Sequence, residues 1–400
     1  MLKFASSSTA VVNSKKAIAE CLENALVDEE SIDCDLVVIY ATIGHNLNEI
    51  LSEAHKLAPS AQIVGCTCSG IIGKEGANEA MRCLAIMTIK GGKDEYSVVI
   101  KDNITGPNSY EVGAQLAQDL KSKNSNVNMI HFLASGIDIA ADKALEGIES
   151  VFGTDVPIFG ATSSDNMKAI NSFQFVGDQI FEKAALAIGF ADPTLEVITQ
   201  ASHGFAIIEM PFEVTRSESN RVFELNGEPA WKCLTENLGL PETAQLKDTI
   251  PIGALAEELP KSLQEEYGNT HILRVIAKKG TDGSIYMPVE CPEGTKLHLT
   301  KRDEDLIFDG LDQMVGQIVE KCNGRKPVAV FHADCVARGR GMLNRIHKDE
   351  IVARMQYPLC NDEDVPWLGM YGLGEFARLG GRDQFHNYTT ALYVIVKSND

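Results

Sequence analysis

The chain has 400 residues, which is enough for two domains with substantial apolar cores. Its 36 Lys and Arg against 56 Asp and Glu give a formal net charge of −20. No basic stripe with interleaved aromatic residues offsets this charge, so nucleic-acid binding is excluded from the expected functions. We attribute the acidic excess to solubility rather than to attraction of a cationic ligand.

The N-terminal twenty residues lack the apolar segment of a signal peptide. The longest apolar stretch, near Ala184 to Ala191, is too short for a membrane-spanning helix. We therefore predict a cytoplasmic protein without membrane insertion, whose ten cysteines are mostly free thiols. Cys66 and Cys68 form a Cys-x-Cys pair, but no second pair stands at zinc-ligand spacing, and no metal site is predicted.

A strand–helix–strand motif occurs three times along the chain. The copies run from Leu36 to Gly70, from Met129 to Asp165 and from Val328 to Glu375, and their closing strands contain Gly65, Gly160 and Gly369. Apolar β-rich runs joined by helical connections predict buried parallel strands. Ligands bind outside the carboxyl ends of such strands, so the loops after these glycines are the predicted binding surface.

The rest of the chain alternates in the same way. In chain order, the patterns predict helices at 14–26, 110–120, 141–151, 228–238 and 303–321, and strands at 84–90, 96–101, 184–189, 195–202, 271–277, 285–288, 296–300 and 389–396. A domain boundary is predicted near 212–226, and Asp282-Gly283 is typical of a hairpin turn. The predicted fold class is α/β (mixed α+β), with two packed layered domains, 1–225 and 226–400, and repeated strand–helix–strand units.

The densest group of unusual residues follows the third apolar strand. It contains Cys335, Arg338 and two glycines, Gly339 and Gly341. Arginine binds carboxylates in a bidentate manner, so Arg338 is a candidate for binding an acidic ligand. An ion pair with Glu375 within the protein explains the same arginine equally well, and the sequence leaves both alternatives open.

These motifs resemble those of the FIST family, whose members pair a FIST N and a FIST C domain. The resemblance covers nearly the whole chain from about residue 35, and its order and spacing are more specific than any single motif. The motifs that carry it are Gly65–Gly70, Ser202–Phe205, Glu224–Ala230, Cys335–Gly339, Gly369–Glu375 and His386–Thr389. One loop departs from the family pattern, because Gly160 to Asp165 keeps only the first glycine and the aspartate of the expected Gly-Gly-x-Ala-Gly-Asp.

The resemblance implies an intracellular sensory protein with a FIST N-like domain at 1–225 and a FIST C-like domain at 226–400. Such proteins bind small ligands, proposed to include amino acids. They are linked to histidine kinases, to chemotaxis receptors and to cyclic-di-nucleotide enzymes such as a diguanylate cyclase or phosphodiesterase. This chain leaves no room for an output domain, so we expect it to relay its signal to a separate protein.

The predicted ligand-binding residues come from the loops and motifs described above. They are Thr67, Ser69, Ser163, Ser164, Asp165, Cys335, Arg338, Glu375, His386 and Asn387. One branch of the family is described as haem-bearing nitric-oxide sensors, which makes non-covalently bound haem b an alternative cofactor. The candidate axial ligands are then His131, His203, His332 and His386.

An enzyme that uses Cys335 as a nucleophile is a further alternative. Arg338 would favour its thiolate, and His332 or His386 would act as the base. Free cysteines are commonly buried and inert, and the chain contains no Gly-x-Ser-x-Gly, P-loop or metalloprotease motif. We therefore expect a binding protein rather than an enzyme.

Overall fold

The computed structural model describes residues 1–27, 31–208, 211–249, 253–361 and 363–398. It is a mixed α/β protein, as the sequence predicts, and three units of the same design form most of it. The first unit contains β1 (Lys3–Thr9), α1 (Ser14–Asn24), β2 (Leu36–Thr42), α2 (Leu47–Leu57), β3 (Gln62–Cys68), β4 (Ile71–Gly73), β5 (Gly76–Asn78) and β6 (Leu84–Lys90).

The second unit repeats this order without a gap. It contains β7 (Tyr96–Lys101), α3 (Ser109–Lys123), β8 (Met129–Ala134), α4 (Ala141–Phe152), β9 (Ile158–Thr162), β10 (Phe173–Val176), β11 (Gln179–Glu182) and β12 (Ala185–Phe190). The third unit begins with β13 (Leu195–Ser202) and is then interrupted by an insertion. We call the part of the chain from β14 to β22 the inserted segment.

In its described residues, the inserted segment forms a fourth sheet with three helices. Its elements are β14 (Phe205–Ile207), β15 (Phe212–Glu218), β16 (Arg221–Leu225), β17 (Glu228–Pro229), α5 (Ala230–Asn237), α6 (Leu246–Thr249), β18 (Ala254–Glu258), α7 (Lys261–Tyr267), β19 (His271–Arg274), β20 (Lys278–Lys279), β21 (Ile285–Tyr286) and β22 (Lys296–Arg302). The predicted boundary at 212–226 is therefore a strand pair, β15 and β16. The predicted turn after β16 is present, with Asn226 and Gly227 at positive φ.

The third unit resumes after the inserted segment. It contains α8 (Glu304–Cys322), β23 (Pro327–Cys335), α9 (Arg345–Cys360), β24 (Trp367–Gly372), β25 (Gly374–Leu379), β26 (Arg382–His386) and β27 (Thr390–Lys397). Helix α9 lies in the stretch for which the sequence predicted only a connection. None of the described helices is long and apolar enough to cross a membrane.

The predicted strand–helix–strand repeat is confirmed, and each copy forms the centre of its own sheet. The pairs β2/β3, β8/β9 and β23/β24 are all parallel. The three sheets have equivalent strand orders, namely β1-β6-β2-β3-β10-β11, β7-β12-β8-β9-β25-β26 and β13-β27-β23-β24-β4-β5. In each sheet the last two strands are a hairpin donated by another unit, so the units interlock in a cycle.

This exchange mixes the two halves of the chain. Strands from before and after residue 226 share the second and third sheets. The division into domains at 225 and 226 stays a prediction, while the packing of the two halves against each other is extensive.

Alternate side chains along the central strands enter two different apolar layers, as the pleat of a strand requires. In β2, Val38 and Tyr40 face a core that all three sheets share, whereas Val37 and Ile39 pack under α1 and α2. The shared core also contains residues of β8 and β23, and each sheet has its own helix pair on the outer face. The strand ends are thereby held close to one another.

The glycines of the closing strands permit close packing between parallel neighbours. A Cβ on Gly160 would lie 2.2 Å from the carbonyl oxygen of Phe132 on β8, and the φ of Gly160 is +132°. A Cβ on Gly65 would lie 1.9 Å from the carbonyl oxygen of Ile39 on β2. A side chain at either position would push the two central strands apart.

Candidate functional site

The three loops that follow the closing glycines meet, as the sequence predicts. Each loop donates one backbone N–H to a backbone carbonyl of another unit. The donor is always the fourth residue after its own glycine, and the acceptor is the second residue after the glycine of the other unit. These bonds are Ser69 to Tyr371 at 3.0 Å, Ser164 to Thr67 at 3.0 Å and Leu373 to Thr162 at 3.2 Å. This closed ring of backbone hydrogen bonds holds the carboxyl ends of β3, β9 and β24 together.

The four predicted hydroxyl residues stabilise this ring and are themselves fully buried. The Ser164 hydroxyl donates to the Tyr371 carbonyl at 2.7 Å and lies 3.0 Å from the Ser69 hydroxyl. The Thr67 hydroxyl accepts from the Phe173 N–H at 2.9 Å. Ser163 donates to a backbone carbonyl at 3.1 Å and accepts from Gln174. The hydroxyls of Thr67, Ser69 and Ser164 thus join different units, whereas that of Ser163 binds within the second unit.

Asp165 organises the loop that follows β9. Its carboxylate accepts from the backbone N–H groups of residues 168–171 at 2.8, 2.8, 2.9 and 3.3 Å. Within this loop Met167 and Ala169 have positive φ angles of 63° and 51°. Non-glycine residues adopt such angles at some cost, so the carboxylate offsets strain in the loop.

A cavity of about 410 Å³ lies beside the ring and is partly open to solvent. Its walls come from the loop between β8 and α4, the loop held by Asp165, the inserted segment and the turn after β23. This volume falls within the range of small-molecule sites in proteins. The lining is largely apolar, and it includes Ile137, Ile139, Ile276, Met287, Leu373 and Phe385.

Of the ten predicted binding residues, only Cys335 lines this cavity. Asp165 and Asn387 do not line the cavity, but each forms hydrogen bonds with residues of its walls. The Asn387 amide donates to the Leu373 carbonyl at 3.2 Å and its oxygen accepts from the Val275 N–H at 3.1 Å. Both of these partners line the cavity, so Asn387 fixes the inserted segment against the third unit.

Arg338 forms an ion pair within the protein, and its partner is Asp334 rather than the predicted Glu375. The guanidinium Nε donates to the Asp334 carboxylate at 2.9 Å, and both side chains are almost completely buried. Because Asp334 is four residues earlier in the chain, the turn after β23 brings the two together. Burial raises the pKa of Asp334 to about 6 despite the attraction of Arg338. The Nη2 atom of Arg338 has no partner among the described residues.

Glu375 lies on β25 and is fully buried. It accepts from the Thr389 hydroxyl at 2.5 Å through one oxygen, while the other has no partner among the described residues. Burial raises the pKa of this carboxyl well above its usual value, which favours the protonated acid. Glu375 is therefore a buried core acid and does not reach the cavity lining.

The four histidines predicted as haem ligands are buried, and none of them lines the cavity. His203 uses both ring nitrogens, with the His271 carbonyl at 2.9 Å and the Phe205 N–H at 3.2 Å. His386 likewise contacts Tyr267 at 3.1 Å and the Ala377 carbonyl at 3.2 Å.

His131 and His332 each use one nitrogen. The Nε2 of His131 lies 2.9 Å from the Tyr40 hydroxyl, and that of His332 lies 2.8 Å from the Thr390 hydroxyl. Each Nδ1 has no partner among the described residues. Burial lowers the pKa of both imidazoles to about 3, so both are neutral.

Cys335 contacts the cavity, but its surroundings disfavour a thiolate. Burial raises the pKa of this thiol well above its usual value. No imidazole hydrogen bonds to it among the described residues, since His332 and His386 are bound elsewhere as described above. The arrangement is that of a packed thiol rather than of an activated nucleophile.

Sequence reasoning missed most of the cavity wall. The loop after β8 carries one usable signal, because Ile137 and Ile139 flank Asp138 in a turn that follows a buried strand. Apolar residues in such a loop are typical of a binding surface. Ile276 and Met287 of the inserted segment fall within the predicted strands 271–277 and 285–288, but they lie just beyond the observed strands β19 and β21. An apolar residue in a predicted strand indicates a core position, so the pattern did not mark them as cavity wall.

The structure is that of a mixed α/β protein with a largely apolar cavity, partly open to solvent, beside the ring of strand ends. The FIST N domain matches residues 35–228 and the FIST C domain matches residues 230–378. The chain belongs to the FIST family, whose domains are sensory domains that bind small ligands.

Comparison with curated proteins gives two distant relatives. They are uncharacterized proteins from Mycobacterium bovis and Mycobacterium tuberculosis, each 24% identical over 215 residues. The match covers 52% of this chain and spans about half, 53%, of each relative. It assigns no ligand.

Two solved structures show weak likeness. Cyanuric acid hydrolase from A. caulinodans covers 100% of both chains at 8% identity with a TM-score of 0.34. T. maritima PurL complexed with FGAR covers 100% of this chain and 73% of its own, at 9% identity with a TM-score of 0.24. TM-scores this low carry no argument about the function of this chain.

Proposed function

We propose that the protein is a sensor whose ligand binds in the cavity beside the ring of strand ends. The observation that carries this proposal is the construction of the cavity wall, to which the second unit, the third unit and the inserted segment all contribute. A ligand that contacts all three would favour the conformation in which they are closed on one another. Such differential affinity for two conformations is the physical requirement for a sensor.

The segment best placed to transmit this change is the loop held by Asp165. Its residues Met167 and Ile170 line the cavity and are also 41% and 65% exposed to solvent. A ligand inside and a partner protein outside would therefore contact the same short loop. We propose that this partner protein is a separate histidine kinase or a cyclic-di-nucleotide enzyme. The chain then acts by binding its ligand rather than by catalysing a reaction.

The experiment is a thermal-shift screen of metabolites on the purified chain, repeated on two variants. A ligand that binds only the native state raises Tm in proportion to its occupancy. Ile137→Trp fills the cavity, whereas Ile346→Trp adds the same bulk at a site that is 75% exposed and away from the cavity. The proposal predicts a shift in the wild type and in Ile346→Trp but not in Ile137→Trp. A shift that survives in Ile137→Trp would place the ligand elsewhere.

Relay is tested by adding the chain to a purified candidate kinase and measuring its autophosphorylation rate with and without the ligand. The proposal predicts that the ligand changes the rate only when the chain is present. Lys168 lies in the same loop and is exposed, but it does not line the cavity. Lys168→Glu should therefore weaken this effect and leave the ligand-dependent Tm shift in place. An unchanged rate in every mixture would contradict that partner.

Haem-based nitric-oxide sensing stays a prediction, and the donor groups at the cavity do not fit it. The described lining residues offer the Cys335 thiol and two methionine sulfurs but no histidine. A haem thiolate ligand requires a deprotonated cysteine, which the burial of Cys335 opposes. An absorbance titration with haemin tests the point. A saturable Soret band that moves with nitric oxide would establish haem binding, and a weak unsaturable response would remove it.

A further inference from the structure

We propose that the cavity takes an organic acid with an apolar body, whose carboxylate pairs with Lys278 at the rim. The inference rests on the proposed function, because it assigns a chemical class to the ligand of the same cavity. It also departs from the sequence expectation, in which hydroxyl and charged side chains were to contact the ligand.

The apolar body follows from the lining. Deep positions are occupied by Ile139, Ile276, Met287 and Phe385, each at most 9% exposed. The predicted hydroxyl residues form hydrogen bonds within and around the ring of strand ends and do not line the cavity. Few polar side chains therefore remain in the lining to bind a polar ligand. Burial of apolar ligand surface would supply most of the binding free energy.

The acidic head group follows from the charges at the rim. Lys278 on β20 lines the cavity and is exposed. Its ammonium lies 5.2 Å from the centre of the Tyr286 ring, and it has no ion pair with any described residue. Asp138 also lines the cavity, but it is paired with Lys183 at 3.7 Å. Lys278 therefore supplies the uncompensated charge of the described lining, and that charge is positive.

Neighbouring charges do not alter this balance. The guanidinium of Arg221 also lies 5.2 Å from the centre of the Tyr286 ring, which Lys278 contacts. Arg221 is paired with Asp282 at 2.7 Å, so its charge is compensated. The protein as a whole carries a formal charge of −20, which repels anions at a distance. Selection of an acid would thus depend on the local contact with Lys278, which one substitution can remove.

The experiment compares three ligands that share a ten-carbon chain, namely decanoate, decanol and decylammonium, and the short acid butyrate. Titration calorimetry is performed below their solubility limits and micellar concentrations. The proposal predicts that decanoate binds the wild type most tightly and that butyrate binds far more weakly. In Lys278→Glu the order should invert, with decylammonium above decanoate. Exposed ion pairs are weak, so the expected change is about fivefold for loss of the pair and larger for its reversal.

Lys279→Glu is the matched control, because the adjacent Lys279 contacts Trp231 and the Glu242 carbonyl and does not line the cavity. It should keep the wild-type order. Equal binding of decanoate by the wild type and Lys278→Glu would overturn the head-group assignment. Absence of binding by all three ten-carbon compounds would overturn the assignment of an apolar body to the ligand. If a polar metabolite then binds in the thermal-shift screen and is lost in Ile137→Trp, the proposed function stands without this inference.

Discussion

The imidazole of His131 and the hydroxyl of Tyr40 are 2.9 Å apart in the core that the three sheets share. Tyr40 belongs to the first sheet and His131 to the second. The same imidazole stacks on Phe159, with ring centres 5.1 Å apart, and lies 4.7 Å from Phe331 of the third sheet. One polar contact therefore lies where all three sheets meet.

This contact predicts how stability depends on pH. Burial lowers the pKa of folded His131 to about 3, whereas in the unfolded chain it is about 6.5. The unfolded chain therefore takes up a proton first, and the contribution of His131 is complete above pH 6.5 and is lost as the pH falls towards 3. The difference in unfolding free energy between the wild type and His131→Gln should shrink by about 1 kcal/mol between pH 6.5 and 5.5.

Urea unfolding at a series of pH values measures this difference. Tyr40→Phe serves as the control, since it removes the hydrogen bond at a loss of about 1 kcal/mol but keeps the titrating imidazole. A difference between the wild type and His131→Gln that does not change with pH would show that the imidazole is not buried in the neutral form.

Substitution of Arg338 distinguishes a structural ion pair from a direct contact with the ligand. Arg338→Ala leaves the buried Asp334 carboxylate without its partner, so we expect a loss of about 3–5 kcal/mol in unfolding free energy. The double variant Asp334→Asn with Arg338→Met removes both charges and should recover much of that loss. Chemical unfolding of the three proteins is the measurement. A fully stable Arg338→Ala that no longer binds ligand would instead support direct contact with the ligand.

Asp165 is predicted to control the order of the loop that lines the cavity. Asp165→Asn keeps the shape of the side chain but replaces one acceptor oxygen with a donor, so it retains only part of the four backbone hydrogen bonds. We expect faster amide hydrogen exchange at 168–171 and weaker ligand binding, with the central strands unchanged. Unaltered exchange in that loop would contradict the assigned role of the carboxylate.

Gly160 is predicted to be intolerant of any side chain. Gly160→Ala places a Cβ against the Phe132 carbonyl at an unfavourable φ, so we expect a loss of more than about 3 kcal/mol. Gly316→Ala is the control, because a Cβ there meets no atom within 4 Å inside α8. That change should stabilise the protein by about 0.4–1 kcal/mol. Thermal unfolding of both variants tests the pair, and a mild effect at Gly160 would argue against the close approach of β8 and β9.

The sequence predicted the central strands well because their physical signal is local. The central strand β8 is an apolar run broken only by His131, and the bounds of β6 and β13 match the prediction. The hairpins β4–β5 and β10–β11 were missed, since their strands are three or four residues long and depend on a sheet of another unit. Helix α9 has almost no amphipathic pattern and contains Pro358, which hides it from periodicity.

The candidate site was harder to predict than the fold. The sequence placed Ser69 and Ser164 at strand ends, and the structure brings their hydroxyls to 3.0 Å from each other, so they bind one another rather than a ligand. Their hydroxyls resemble ligand-binding groups in sequence because both roles require small polar residues near glycine. Which role applies depends on the neighbouring loop, and that neighbour is about 100 residues away in the chain. The ion pair of Arg338 with Asp334 was within reach, because the two are four residues apart.

We propose above that the ligand occupies the cavity beside the strand-end ring. The most direct test is an isoleucine-methyl NMR spectrum of the full chain during titration with decanoate or with a ligand from the thermal-shift screen. If the ligand binds there, the methyl signals of Ile137, Ile139 and Ile276 shift together and saturate, while that of Ile346 stays in place. Saturable shifts confined to other isoleucines, with these three unmoved, would contradict it.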